Sequence, residues 1–220
     1  MNIKNLHGWD VNKDEAEKIQ DELKNKVIIK PLKDEIKIVC GIDSDYLEEK
    51  IKTCAVVLEY PSLKILEIIE NQGKVKFPYI PGFLAFREGE NIIKTIEKIE
   101  KNVDVFILDG HGIAHPKKFG LASHIGVLIE KPTIGCAKKL LFGYYSEPPN
   151  FPLASTFIKD NEGEIIGHAL RNYTGSIIFI SPGNLIDFKD SLILIIKCLK
   201  EEYQLPYPLY LAHKYSKISN

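Results

Sequence analysis

Two short apolar runs, each stopping at an aspartate, constrain this chain most. Residues 37–42 are rich in β-branched side chains and lead into Asp43; residues 103–108, apolar apart from Asp104, lead into Asp109-Gly110. Runs of this length bounded by turn residues read as buried strands. Further strands are expected at 53–60 and 64–71, joined by a Pro61-Ser62 turn, at 132–137, in a hairpin over 157–166 that turns at Asp160-Asn161-Glu162-Gly163, and at 177–180, stopped by Ser181-Pro182-Gly183. Helical periodicity separates them. Ala16, Ile19 and Leu23 mark an amphipathic helix over 12–27. Ile92, Ile96 and Ile99 share one face of a helix over 90–101, with Glu90/Lys94 and Glu97/Lys101 as outward i,i+4 pairs. Residues 187–202 are apolar nearly all round at their middle and read as a well-buried helix. This order fits an α/β fold with a mixed sheet flanked by helices, antiparallel strands first and parallel strands added through crossovers.

The 220 residues suit a single domain spanning 1–220, long enough to bury a full core without staples. Cys40, Cys54, Cys136 and Cys198 show no CxxC spacing and have apolar neighbours, so free core cysteines in a reducing compartment are expected. Residues 1–10 carry no apolar signal segment, and the longest apolar run, 192–196, is far short of a membrane span; a cytoplasmic protein with no membrane partner is expected. A net charge of −1 is not the balance of a non-specific DNA binder. Phosphate contacts should come from small lysine clusters rather than a broad basic face.

Asp43 and Asp109 follow strands, and Glu88, in Phe86-Arg87-Glu88, is expected to open a helix. Carboxylates at the ends of neighbouring strands can converge at one edge of a sheet. Three of them make a hard oxygen site suited to Mg²⁺ or Mn²⁺, which can activate water and offset phosphate charge. Each residue also has a plainer use: Asp before Gly serves turns, and acids favour the first turn of a helix. Asp45 is an alternative to Asp43, although Asp43 lies nearer the buried strand.

Two segments sharpen this reading. In Pro78-Tyr79-Ile80-Pro81-Gly82 two prolines fix φ and remove two N–H donors, so the segment is stiff and presents an aromatic ring. Such a wedge can enter a base stack and hold a gap open; a strand-terminating turn is the plainer use. Residues 109–124 hold three glycines, three histidines and two lysines. Glycines allow close approach of backbone N–H groups to a ligand, and lysines suit phosphates. The histidines lack a clean zinc spacing.

With these residues in view, the chain resembles the endonuclease V (deoxyinosine 3′-endonuclease) family. Four passages carry the resemblance: Gly41-Ile42-Asp43, the stretch Phe77 to Glu88, the block Asp109 to Gly126, and Pro132 to Lys138; Pro206-Tyr207-Pro208 through Leu211-Ala212-His213 resembles the family's end. The resemblance implies a ribonuclease-H-like fold, dependence on Mg²⁺ with Mn²⁺ as a substitute, and cleavage at the second phosphodiester bond 3′ to deoxyinosine, leaving 3′-hydroxyl and 5′-phosphate ends. By motif position it implies that Asp43, Glu88 and Asp109 hold metal, that Lys138 lies near the scissile phosphate, and that His213 acts through water or at a second metal position. Relatives commonly carry His where Asn184 stands.

The wedge is then expected from Pro78, Tyr79, Ile80 and Pro81, with Tyr79 at its tip. A flipped hypoxanthine is expected in a pocket of Gly82, Leu84, Gly110, His115 and Leu121, where backbone N–H groups donate to its O6. Adenine would set donor against donor there, at roughly 1–3 kcal/mol. The expected partner is DNA containing deoxyinosine. The alternatives are a ribonuclease acting on inosine in RNA, a non-catalytic inosine-binding protein, and a metal phosphatase on small substrates, which has no use for a stiff wedge.

Overall fold

The computed structural model describes residues 3–218. The chain runs α1 (Lys13–Leu23), β1 (Ile38–Leu47), β2 (Lys50–Glu59), β3 (Ile65–Lys74), α2 (Leu84–Ile96), β4 (Val105–Asp109), α3 (Leu121–Ile129) and β5 (Thr133–Ala137). It continues through β6 (Tyr144–Tyr145), β7 (Ser155–Lys159), β8 (Ile165–Arg171), β9 (Ile177–Asn184), α4 (Phe188–Cys198) and α5 (Tyr207–Ser216). The strands form one mixed nine-stranded sheet in the order β3-β2-β1-β4-β5-β9-β8-β7-β6. β1, β4 and β5 pair in parallel, and the other pairings are antiparallel. Antiparallel hairpins first, then parallel strands reached through α2 and α3, is the α/β arrangement expected from the sequence and the ribonuclease-H-like order that the resemblance implies.

Period-two alternation explains the two-sided core. Val39, Val105, Ile107 and Ile134 face one cluster with Ile195, Leu209 and Leu211 of α4 and α5. Cys40, Ile42, Phe106 and Leu108 face another with Ile92, Ile96, Leu121 and Ile125 of α2 and α3. Each such fully buried side chain contributes roughly 1.5–3 kcal/mol of transfer free energy. All four cysteines are free and buried. No helix among the described residues is long and apolar enough to cross a membrane.

Several sequence expectations need correction. β1 does not end near Asp43 but runs on to Leu47, because β2 continues to pair with it through Leu47↔Lys50. Glu88 does not open a helix; it sits in the second turn of α2, which begins at Leu84. The same helix ends at Ile96, so Glu90 and Lys94 form their pair at 2.7 Å while Glu97 is already the C-cap. Ser181-Pro182-Gly183 does not stop β9, which runs to Asn184. Pro182 is accommodated beside a register shift at Thr133/Ile134, where no ladder donor is needed, and its carbonyl accepts from Ile113 N–H. α4 buries one face around Ser191, Leu194, Ile195 and Cys198, leaving Ile193 40% exposed. α3 gave no periodic signal because all nine of its residues are buried.

Where the sequence is capped, the structure follows it closely. Asn12 accepts from Glu15 N–H and the Glu15 carboxylate accepts from Asn12 N–H, a capping box that starts α1. α5 is seated by Gly41: a Cβ there would lie 2.3 Å from the Pro208 backbone. That close approach brings the far end of α5 over Asp43.

Candidate active site

Asp43 and Asp109 occupy matching positions on adjacent parallel strands, each one residue past the last registered pair, Ile42↔Leu108. The convergence therefore comes from register, although only β4 ends there. Asp43 is buried, and its Oδ2 accepts from His213 Nδ1 at 2.8 Å and from Ser216 Oγ at 3.3 Å. His213 thus spends Nδ1 on orienting a carboxylate. Glu88, buried on α2, accepts from the Tyr46 hydroxyl at 2.5 Å through Oε1.

Burial, opposed by hydrogen bonds from Tyr46 and Ser44 and reinforced by the charges of Asp43 and Asp109, pushes Glu88 up to about 8. Burial and the Asp43 charge push Asp109 up to about 7, against the pull of Lys138. Lys138 stands exposed just past β5. Asp43 and Asp109 thus lie close enough to Glu88 to disfavour its ionised form, and Asp43 does the same to Asp109. The oxygens of the three are not drawn together within 4.8 Å; among the described residues the one triplet that is comprises Asp160, Glu162 and Glu164, in the β7–β8 turn. In that turn two of the three carboxylates already share a lysine. Asp160 accepts from the Glu162 and Glu164 N–H groups, and Lys118 pairs with both Asp160 and Glu164. In the central trio, by contrast, Asp43 is turned to His213 and Glu88 to Tyr46.

The proline-rich segment is fixed at both ends. Phe77 is 2% exposed, and its carbonyl accepts from Arg87 Nη1 at 2.8 Å. Ile80-Pro81-Gly82-Phe83 closes as a turn, with Phe83 N–H donating to Ile80 O and Gly82 at φ +86, the left-handed value that glycine supplies in a type II turn. Pro78 and Pro81 are exposed and Tyr79 is 71% exposed, while Ile80 packs back onto Ala16, Phe77 and Phe86. The tip is Tyr79; Ile80 secures the base.

The Gly82 carbonyl accepts from Gln20 Nε2 and His115 Nε2, each at 2.8 Å, and His115 Nδ1 accepts from Lys117 N–H. Both nitrogens of His115 are therefore committed, and burial lowers its pKa. A small cavity of about 30 Å³, room for one or two waters, lies here. It is lined by Gly82, Leu84, His115 and Leu121, with His111 and Phe119 beside them. Gly110 lies behind: a Cβ there would meet Leu121 at 3.2 Å and Leu84 at 3.6 Å. Its walls must part before a purine can enter. His111 Nε2 is buried without a partner, and burial and His115 push its pKa down to about 4. His124, by contrast, is caged structurally, its Nε2 2.6 Å from that of His7. Asn184 is also structural: it accepts from Ile28 N–H and donates to Gly126 O.

The family model for endonuclease V matches residues 21–214. The chain belongs to the endonuclease V family. It is 43% identical to the Thermosipho melanesiensis endonuclease V over 219 residues, covering 99% of this chain and 96% of that protein. The crystal structure of endonuclease V from Bacillus subtilis superposes with a TM-score of 0.92 at 32% identity, covering 98% of this chain and 95% of that one. Endonuclease V of Ciona intestinalis, solved in complex with a DNA containing an inosine followed by a ribo-adenosine, superposes at 0.80 with 29% identity, covering 92% and 95%. As a member of this family the chain is a metal-dependent endonuclease. Tyr46, Ser216, His111 and Gln20 were not singled out from sequence. The partners of Tyr46, Ser216 and Gln20 lie 42, 173 and 62 positions away, so no local pattern marks them.

Proposed function

We propose that this endonuclease V family member recognises deoxyinosine in DNA and hydrolyses the second phosphodiester bond 3′ to it, using Mg²⁺ or Mn²⁺, leaving 3′-hydroxyl and 5′-phosphate ends. The observation that carries the reading is the gathering of three buried carboxylates, of which Glu88 and Asp109 have raised pKa values, in a fold that also presents a rigid, exposed tyrosine. The Ciona intestinalis complex, in which a relative is bound to inosine-containing DNA, supports the choice of base.

The donor set fits a hard divalent cation: all oxygen, converging from two strands and a helix, and held against mutual repulsion that a cation relieves. Asp43, Glu88 and Asp109 would hold it. A cation bound there supplies Lewis-acid activation of water and neutralises phosphate charge. The chain's own residues do the rest. His213 fixes the orientation of Asp43 through Nδ1–H, and Lys138 offsets charge on the phosphate. Tyr79 fills the place of the everted base. The cavity behind it offers His111 Nε2, buried without a partner, to a base that carries both an N1–H donor and an O6 acceptor.

On a duplex labelled at one 5′ end and carrying a single deoxyinosine, the expected result is one Mg²⁺-dependent product ending one nucleotide 3′ of the lesion. Cutting at undamaged sites, or cutting that chelation leaves intact, would sink the reading. Inosine in RNA remains the second reading, because the Ciona intestinalis complex carries a ribonucleotide after the inosine. The same assay on matched RNA ranks the two.

Tyr79→Ala should weaken binding to inosine duplex in Ca²⁺ or EDTA by roughly 10-fold, since base–aromatic stacking is worth about 1–3 kcal/mol. Cation affinity should not change. Equal lesion affinity in a gel-shift titration would remove the wedge from the mechanism.

A further inference from the structure

Between the exposed tyrosine and the carboxylates lies a continuous line of contacts. The Phe77 carbonyl, two residues before Tyr79, accepts from Arg87 Nη1 at 2.8 Å. The Arg87 guanidinium lies over the Tyr46 ring, 4.6 Å from its centroid. The Tyr46 hydroxyl donates to Glu88 Oε1 at 2.5 Å. Tyr46 itself stands on β1 three residues after Asp43, and Arg87 is the chain neighbour of Glu88 on α2. We propose that Tyr46 is a positioning residue that orients Glu88 for the cation and, through Arg87, couples the carboxylate centre to the wedge loop.

The chemistry of each contact supports this role. A carboxylate has two oxygens, and the bond to Tyr46 commits Oε1 and so fixes the plane in which the other is presented. Hydrogen bonds to ligating carboxylates set their orientation, and losing one typically costs 10–100-fold in metal affinity. The face of the same ring is occupied by a cation whose Nη1 is bonded to the base of the wedge. A guanidinium over a ring is held by a weak but directional attraction, so a shift of the Phe77 carbonyl when Tyr79 enters a base stack is passed to the ring that holds Glu88. Phe77 is buried among Ala16, Ile80 and Phe86, so the base of the loop is one packed unit that carries its bond to Arg87 with it. Because coupling is reciprocal, bound cation should tighten inosine binding by the same factor that inosine DNA tightens cation binding.

This proposal rests on the reading that Glu88 holds the cation and that residues 78–81 form the wedge. The test uses the full chain and Mn²⁺, followed by electron paramagnetic resonance with and without an inosine duplex. Tyr46→Phe keeps the ring under Arg87 and removes only the hydroxyl. It should weaken Mn²⁺ binding about 10–100-fold, leave inosine-duplex affinity in EDTA unchanged within about two-fold, and recover cleavage at high Mn²⁺. Arg87→Met should keep Mn²⁺ affinity of the free protein near wild type but lose the tightening caused by the duplex. The double variant should lose no more of that tightening than Arg87→Met alone, as residues acting in one line do. Mn²⁺ affinity of Tyr46→Phe within two-fold of wild type overturns the proposal, as does full duplex-induced tightening in Arg87→Met. Glu88→Gln separates the two levels. If it binds Mn²⁺ normally, the carboxylate reading itself is wrong; if it loses Mn²⁺ while Tyr46→Phe does not, only the coupling through Tyr46 fails.

Discussion

Asp109→Asn should lower strand cleavage by a factor on the order of 10²–10³ and, in the same molecule, raise the thermal stability of the metal-free protein. The rate loss follows from the proposed role. Asn offers a neutral, weaker oxygen where a hard divalent cation wants charge, and the transition-state stabilisation supplied by such an ion is worth several kcal/mol. Each 1.36 kcal/mol or so is tenfold in rate. The stability gain follows from what Asp109 endures without a cation. Its carboxyl is pushed up to about 7 by burial and by Asp43, and it adds to the burden on Glu88. Replacing it with an isosteric amide removes a like charge from a buried group. Active sites often carry such strain, and relieving it trades activity for stability. Cleavage at the wild-type rate would remove Asp109 from the cation site. A melting temperature that falls at about pH 8 in EDTA would mean that Asp109 serves the fold instead, as a strand-end aspartate before glycine commonly does.

What the sequence could show of this fold and site follows from which interactions are local. The runs before Asp43 and Asp109 were readable as strands because β-branched density is a property of adjacent residues. Their alignment is a property of β1–β4 register, in which Ile42↔Leu108 leaves both aspartates one step beyond. Register depends on packing on both faces. The Pro61-Ser62 and Asp160-to-Gly163 turns were readable for the same reason, since turn chemistry is local. α3 was hidden by its own burial: a helix with no polar face has no amphipathic period. Pro182 misled because proline usually ends strands, and only the bulge opposite Ile134 makes room for it. At the site, spacing nominated Asp43, Glu88 and Asp109 as acids near element ends. It could not show that Tyr46, His213 and Ser216 hold them, since Tyr46 meets Glu88 across 42 positions and Ser216 meets Asp43 across 173. The resemblance supplied Lys138 and His213. The structure adds that His213 reaches Asp43 through Nδ1.

The same crowding makes stability depend on pH and on cation. Glu88 and Asp109 have folded-state pKa values raised to about 8 and about 7. A group raised in the fold binds more protons folded than unfolded, so its contribution is fully present below the unfolded value near 4 and is lost as pH rises through the folded value. The buried histidines act in the opposite sense: His7, His111, His115, His124 and His168 are all lowered, chiefly by burial. They gain stability as pH rises, a gain that is finished only about one unit above the unfolded imidazole value of about 6.5. Between about pH 6.5 and 8.5 the two carboxyls should titrate at a cost of about 2–3 kcal/mol, and the last of the histidine gain, up to roughly 2 kcal/mol for five imidazoles, opposes it below about pH 7.5. For a chain of this size the carboxyl part alone is worth roughly 5–10 °C in melting temperature. A saturating divalent cation binds the ionised, folded form and cancels the loss, so Mg²⁺ or Mn²⁺ should raise the melting temperature far more at about pH 8.5 than at about pH 6.5. Glu88→Gln should remove most of that carboxyl contribution. Comparing scanning calorimetry in EDTA and in Mn²⁺ across this window cancels the histidine part, and a gap between the two melting temperatures that does not widen with pH would show that the carboxyls are not buried together.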